Sequence, residues 1–465
     1  MSKEGSSILK RIAELLRNNK NLIRENERLT KINEELSLEL EKYKHIVEKN
    51  EDLKKLLEEE KFSKIIRYNY ASVLYAEIQG FGEITEDMDT RIVVDNLDEI
   101  LYHLNMIIDK YEIQNVKTIG DTILCVAGIP KKNITNPIEI LLAAVEMQYY
   151  IKDLQRSYFG DKKIWRLKIG IHTGPLLAKE IYKKNSKSYE FKGETLNIAA
   201  RIRAFASNED ILISSTTYEI VKDLFDCEYF GKLPIKYKGD IQLYSVKGLK
   251  KEYSLMGKCL IPNKKFSIKF GLVQFTDLQE YILDKLEKDL PKNLYYHNVK
   301  HTIDVVTQVE LIGIGEGVTD EELLLLKTAA LFHDTGHIIS YNDHEYWSTV
   351  IARQILPRYY YTTSQIDLIC ELIMATKLPP NPKNLLEAII CDADLDYLGR
   401  SDMIPVSNLL FLELKEHNKI NDIKEWNKLQ LEFISKHQYF TETARNLREV
   451  NKQKQIERIM ALIES

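Results

Sequence analysis

Cysteine is scarce and scattered. The five residues, Cys125, Cys227, Cys259, Cys370 and Cys391, form no Cys-x-x-Cys pair and no even framework, which argues against a disulfide scaffold and favours a reducing, cytoplasmic setting. Long apolar runs are also missing. Runs such as Leu323 to Leu326 and Ala329 to Phe332 fall far below the ~18 residues of a membrane span. The opening MSKEGSSILKRIAELL has no apolar core of a signal peptide. Neither sign of charge dominates: 65 Lys and Arg against 70 Asp and Glu give a net charge of −5, so nothing calls for nucleic acid or an anionic membrane as main partner. With 44% apolar and 29% charged residues, the chain can bury a core and is not wholly disordered. Its 465 residues allow two to four domains at ~100–200 residues each.

Proline is absent from the first sixty residues, and Gly5 is their one glycine. Ile8, Leu15, Leu22, Leu29, Leu36, Tyr43 and Leu57 follow a seven-residue spacing, interrupted by Asn50. Ile12, Asn19, Asn26, Asn33, Leu40 and Val47 fill the companion positions. Such a stripe needs a partner, and repeated Asn at a pairs best with itself. Residues 1–61 are therefore expected to form a parallel coiled-coil dimer. Residues 62–258 alternate apolar strand-like runs (SVLYAEI, TILCVAGI, LKIGIHTG, DILIS) with helical stretches, the pattern of an α/β domain. A polar, Lys-rich stretch around Pro262 to Lys265 reads as a linker, taken as 259–276. The pattern is helical from about Phe266 onward, and 277–465 should be an all-α domain.

Three segments of the middle domain carry chemistry. AEIQGFG (76–82) puts Glu77 at the end of an apolar strand, and KTIGD (117–121) puts Asp121 in a tight turn before the next strand. The two carboxylates are candidates to meet across adjacent strands and hold divalent metal, as phosphoryl chemistry on a nucleoside triphosphate commonly requires. GETLNIAARIRAF (193–205) sets Asn197 and Arg201 four apart, on one helix face, with Arg the natural fork for phosphate. One strand-end carboxylate is usually just solvated; the combination is what points to a site.

That combination resembles the class III nucleotidyl cyclase catalytic domain over about 180 residues, with SVLYAEIQGF, KTIGDTIL, LKIGIHTGP, YEFKGETLNIAARI and KYKGDIQLYSVKG in order. The resemblance implies a ferredoxin-like α/β fold. Glu77 and Asp121 would be the Mg²⁺ or Mn²⁺ carboxylates, Lys117 and Glu190 the base-selecting pair, Asn197 the ribose-orienting residue, Arg201 the transition-state arginine and Lys238 the triphosphate lysine. Lys117 only donates and Glu190, as a carboxylate, only accepts; this suits adenine N1 and the N6 amine and not guanine, so ATP is the expected substrate. Family sites lie between two catalytic domains, which implies a homodimer. The chain departs from the family pattern at Glu77, usually Asp, at Glu190, often Asp or Thr, and at KEIYKKN (179–185), which replaces small residues. A nucleotide-sensing role for the domain therefore stays open.

Histidine usage is lopsided. Of ten His, five (His297, His301, His333, His337, His344) fall within 48 residues. Asp334 follows His333, and CDADLDYLG carries Asp392 and Asp394. Imidazole and carboxylate in a helical bundle can build a mono- or dinuclear centre. YHNVKHTIDVV, AALFHDTGH and DADLDYLG resemble the HD phosphohydrolase superfamily, over residues 278 to about 446, and within it the metal-dependent cyclic nucleotide phosphodiesterases. By that resemblance His301, His333, Asp334 and either Asp392 or Asp394 hold a divalent transition metal. Asp334 would bridge to a second, and His297 would be the general acid. His337 and His344 would touch the second metal or a phosphate. No purine-clamping Gln is recognisable from the motifs, which leaves this domain's substrate open.

Overall fold

A computed structural model describes residues 36–37, 64–79, 90–130, 132–158, 165–183, 186–207, 209–235, 239–255 and 260–464. But for Leu36 and Ser37, the expected coiled coil lies outside them, as does Lys238. Two compact units emerge. One comprises Tyr68–Leu176 with Gly193–Ser465; the described part of the other includes 64–67 and Leu177–Lys192.

In the larger unit the strands are β1 (Ile65–Gln79), β2 (Gln114–Ile119), β3 (Thr122–Ala127), β4 (Arg166–Lys183), β6 (Ile211–Ser214), β7 (Phe225–Ile235) and β8 (Gly239–Leu249), with β1 and β4 running beyond it. Their order is β2-β3-β1-β4-β6-β8-β7. Helix α1 (Thr90–Lys110) joins β1 to β2, and α2 (Asn136–Tyr158) joins β3 to β4. The first four strands thus have the split βαβ arrangement of ferredoxin-like folds. β4 and β6 are parallel and β1–β3, β2–β3, β6–β8 and β7–β8 antiparallel, so the sheet is mixed.

Alternation along the strands builds two cores. Ile211 and Ile213 pack with Leu104 of α1 and Leu141 of α2, whereas Leu212 between them packs with Ile198 and Ile202 of α3 (Glu194–Phe205). Side chains of period 2 must part in this way. α4 (Ser215–Val221) follows β6, with Ser214 as its N-cap. The smaller unit holds β5 (Ser186–Lys192), antiparallel to the outer half of β4 from Leu177↔Lys192 to Lys183↔Ser186. Glu180 N–H donates to Lys64 O at 2.9 Å within that unit.

The stretch expected to be a linker is largely helix. Asn263 caps α5 (Lys264–Asp289), a single helix of 26 residues. Phe266 belongs to the α/β core, while Phe275, Leu278, Ile282 and Leu286 belong to the C-terminal core. The Lys-rich start misleads because only one face of the helix is apolar. The remainder is all-helical: α6 (Val299–Gly315), α7 (Asp320–Phe332), α8 (His344–Ile355), α9 (Thr363–Ala375), α10 (Leu385–Asp394), α11 (Met403–Glu416), α12 (Ile423–Lys436) and α13 (Glu442–Glu464). No described helix is long and apolar enough to cross a membrane.

Candidate metal centre and nucleotide site

The helical domain gathers its histidines at one point. The side chain of Asn298 caps α6 by accepting from Lys300 N and His301 N, which fixes His301 in the first turn. His333 and Asp334 leave the end of α7. The turn after them packs so tightly on α8 that a Cβ on Gly336 would stand 1.9 Å from His344 O. Ser348 stitches the turn, accepting from Gly336 N at 2.8 Å and donating to His333 O at 2.6 Å.

His333 Nδ1 donates to Ala330 O at 2.7 Å. That bond leaves Nε2 to the site, the orientation a ligating imidazole needs. His301 Nε2 lies 3.3 Å from His333 Nε2 and 3.1 Å from Asp394 Oδ1. The oxygens of Asp334 face different ways. Oδ2 is 3.1 Å from His333 and 3.4 Å from His301, whereas Oδ1 is 3.5 Å from His344 and 4.0 Å from His337. Two groups of potential ligands result, His301–His333–Asp394 and His297–Asp334–His337.

The donor set fits a cation. Asp334 Oδ2 is buried without an aligned hydrogen bond, and so are both nitrogens of His337. Burial alone would raise Asp334, yet His333, His297 and His301 hold it well below the usual carboxylate range. Burial alone would lower His333, yet Asp334 and Asp394 carry it well above normal. These opposed shifts mean that the cluster favours positive charge at its centre. Burial pushes His337 down to about 3, against the pull of Asp334, which keeps it a neutral lone-pair donor.

His297 is turned by Glu413, whose Oε1 is paired with Nδ1. Glu413 is fully buried and also accepts from the backbone N–H groups of Tyr296 and His297 at 2.9 and 3.1 Å. The centre opens into a pocket of about 650 Å³ lined by His297, His337 and His344, by Leu410, Leu414, Trp426, Leu429 and Phe433, and by Lys377, Lys419 and Gln430. The Gln430 amide Nε2 is buried there without a partner.

In the α/β domain, Glu77 pairs with Thr122 across β1 and β3, and Ile78 N–H donates to Asp121 O at 2.8 Å. The backbones carrying the two carboxylates are thus adjacent. Asn197 and Arg201 are exposed on α3, one turn apart. Lys117 is exposed on β2. Glu190 is exposed on β5, opposite Lys179.

Residues 63–248 match the family model for the adenylate and guanylate cyclase catalytic domain, and residues 298–396 match that for the HD domain. The chain joins a nucleotidyl cyclase catalytic domain to an HD domain.

Curated relatives match the cyclase part. The receptor-type guanylate cyclase gcy-8 of Caenorhabditis elegans is 30% identical over 203 residues, 43% of this chain and 17% of that protein. Guanylyl cyclase C of Mus musculus is 27% identical over 204 residues, 43% of this chain and 19% of that protein. The chain therefore spans less than a fifth of the length of these relatives. Among solved structures, the adenylyl cyclase CyaB from P. aeruginosa is similar at 23% identity and a TM-score of 0.38, covering 41% of this chain and all of that one.

Within the HD domain the two candidate aspartates part company. Asp394 joins His301 and His333, whereas Asp392 is turned away. The carboxylate of Asp392 accepts from Phe440 N, Thr441 N and Thr441 Oγ1 at 2.7–3.1 Å, holding the start of α13. Residues two apart on a helix diverge by about 200°, so both could not face one centre. Sequence reasoning missed Glu413, which no motif marks. It also missed Gln430 and Phe433, although their i, i+3 spacing on α12 puts them on one face. In the cyclase domain it missed Arg203, which is ion-paired with Glu77.

Proposed function

We propose that the cyclase domain converts ATP into 3′,5′-cyclic AMP and pyrophosphate at sites shared by two copies of the chain. The preference for adenine rests on the chemistry of positions 117 and 190. A donor-only Lys and an acceptor-only carboxylate match adenine N1 and N6 and oppose guanine. The sharing rests on the exposure of Asn197 and Arg201, whose family roles are completed by a second domain. The ribose 3′-oxygen gives up its proton to water and forms its bond to the α-phosphorus while the bond to the pyrophosphate oxygen breaks in line. Asn197 orients the ribose, and Arg201 neutralises charge gathering on the equatorial oxygens. Mg²⁺ or Mn²⁺ held by Asp121 and Glu77 would lower the pKa of the hydroxyl and screen the phosphates.

For the HD domain the reading is hydrolysis of a phosphoester, with a cyclic nucleotide as substrate. The pocket carries the argument: its lining brings metal ligands together with an apolar wall that includes Phe433, and with the unpartnered Gln430 Nε2, a donor suited to a base edge. His301, His333, Asp334 and Asp394 would hold a divalent transition metal, which would polarise the phosphate. His297 delivers a proton to the leaving oxygen, with Glu413 fixing its ring.

A product assay with ATP or GTP and Mn²⁺, on Asp334→Ala protein so that nothing made is consumed, tests the first reading. Cyclic AMP should form, should vanish in Asp121→Ala and Arg201→Ala variants, and should exceed cyclic GMP at least ~10-fold. Cyclic GMP alone would overturn the substrate. The ion pair on Glu77 favours one rival, a nucleotide sensor serving an active HD enzyme. Wild-type phosphoesterase activity that responds to ATP, without any cyclic product, would establish that rival.

A further inference from the structure

A metal carboxylate must offer its oxygens to an incoming cation, and in Glu77 both are engaged. Oε2 is ion-paired with Nη1 of Arg203. Oε1 accepts from Gln79 Nε2 at 3.2 Å. The Glu77 and Arg203 side chains are each 24% exposed, so the pair is largely out of water and poorly screened. Asp121 differs. It is exposed, its Oδ1 accepts from Thr122 Oγ1 at 3.1 Å, and among the described residues no cationic side chain pairs with it.

The fold builds Arg203 into this position. Helix α3 lies directly on β4, and a Cβ on Gly170 would come within 2.2 Å of Arg203 N and 2.6 Å of its Cα. β1 is the next strand, so a side chain leaving α3 at 203 reaches the end of β1. Arg201 lies two residues earlier and is exposed; it serves another face of the helix.

We propose that Arg203 is the resident counter-cation of Glu77, and that a divalent metal engages the cyclase carboxylates only by displacing it. The proposal rests on reading Glu77 as a metal carboxylate. Displacement is costly because Arg203 Nε is already buried without a partner, and a guanidinium stripped of its carboxylate would be left largely desolvated. The ion pair thus lowers metal affinity at Glu77 and acts as a built-in restraint on the cyclase.

The test is Mn²⁺ binding, read from the electron paramagnetic resonance of free Mn²⁺. It uses the full chain carrying His333→Ala and Asp334→Ala, so that the HD cluster is silent. Arg203→Met should bind Mn²⁺ about tenfold or more tighter than this parent. Arg203→Gln should do the same, and it keeps a hydrogen bond for Glu77 should the Met variant fail to fold. Unchanged or weaker affinity in the folded variants overturns the proposal. Adding Glu77→Ala separates it from the reading beneath. Tightened binding that disappears with Glu77→Ala supports both, and tightened binding that survives it removes Glu77 as a ligand and the proposal with it. Weakening by Glu77→Ala in the parent, with no effect of either Arg203 change, leaves Glu77 a ligand and sinks the role of Arg203.

Discussion

Glu413 shows how one side chain sets the chemistry of another. Burial alone would raise its pKa, but His297 and two backbone N–H groups hold it at about 2, so it is ionised at every working pH. Burial would lower His297, but Asp334, Glu413 and Asp394 together raise it. Glu413→Gln keeps a hydrogen-bonding shape and removes the charge, so the His297 pKa should fall. A general acid works only while protonated, so the alkaline limb of the phosphoesterase pH profile should move to lower pH. Near neutrality kcat should drop about 10- to 100-fold with KM nearly unchanged. Kinetics across pH, with metal content measured alongside, check this; an unmoved limb would take His297 out of proton transfer. Glu413 and His297 stand 116 residues apart, and no local pattern in the sequence joins them.

At the scale of elements, α10 separates structure from chemistry within one turn. Asp392 ties α10 to the start of α13, where Thr441 in turn caps Ala444 N at 3.2 Å. Asp392→Ala should cost roughly 2 kcal/mol or more, since it orphans the N–H of Phe440 and of Thr441, while sparing metal binding once the protein is folded. Asp394→Ala should do the reverse, losing metal with little loss of stability when both proteins are unfolded in EDTA, since the metal's own contribution is then absent from each. Urea unfolding and metal content on both variants decide it, and a swap of the two phenotypes would return Asp392 to the centre. The helix period shows in advance that only one of the two can face the histidines; which one depends on where α13 docks, and that is a tertiary fact. Strand runs such as TILCVAGI were legible because β-periodicity is local. The His pairs at i, i+4, His297 with His301 and His333 with His337, were legible as spacing only: neither lies within a single α-helix, and the centre instead groups His297 with His337 and His301 with His333, which tertiary packing decides. The role of α5 was not, since Lys264 and Lys265 read as linker while Phe266 and Phe270, four apart, already marked an apolar face.

At the scale of the molecule, α5 makes two cores mechanically continuous. Phe266 sits in the cyclase core with Phe270 and Val273 against it, and the same helix enters the HD core from Phe275 onward. Asp277 adds a polar clamp, since both its carboxylate oxygens accept from Ile134 N–H at 2.9 and 3.0 Å, just ahead of α2. A ligand that binds only the folded HD domain stabilises whatever unfolds with it, by about 3–4 kcal/mol at 100–1,000 times its Kd. With a shared helix, that stabilisation should reach the cyclase domain. Removing metal with EDTA should therefore lower the thermal midpoint of both domains together. Asp277→Ala, which strands the part-buried N–H of Ile134 at a cost of about 1 kcal/mol, should split the melt so that EDTA moves mainly the HD step. Calorimetry of the full chain with and without EDTA reads this directly. If the unaltered protein already melts in two steps and EDTA shifts only one, α5 joins the domains without coupling them, and occupancy of the HD centre cannot act on the cyclase through this helix.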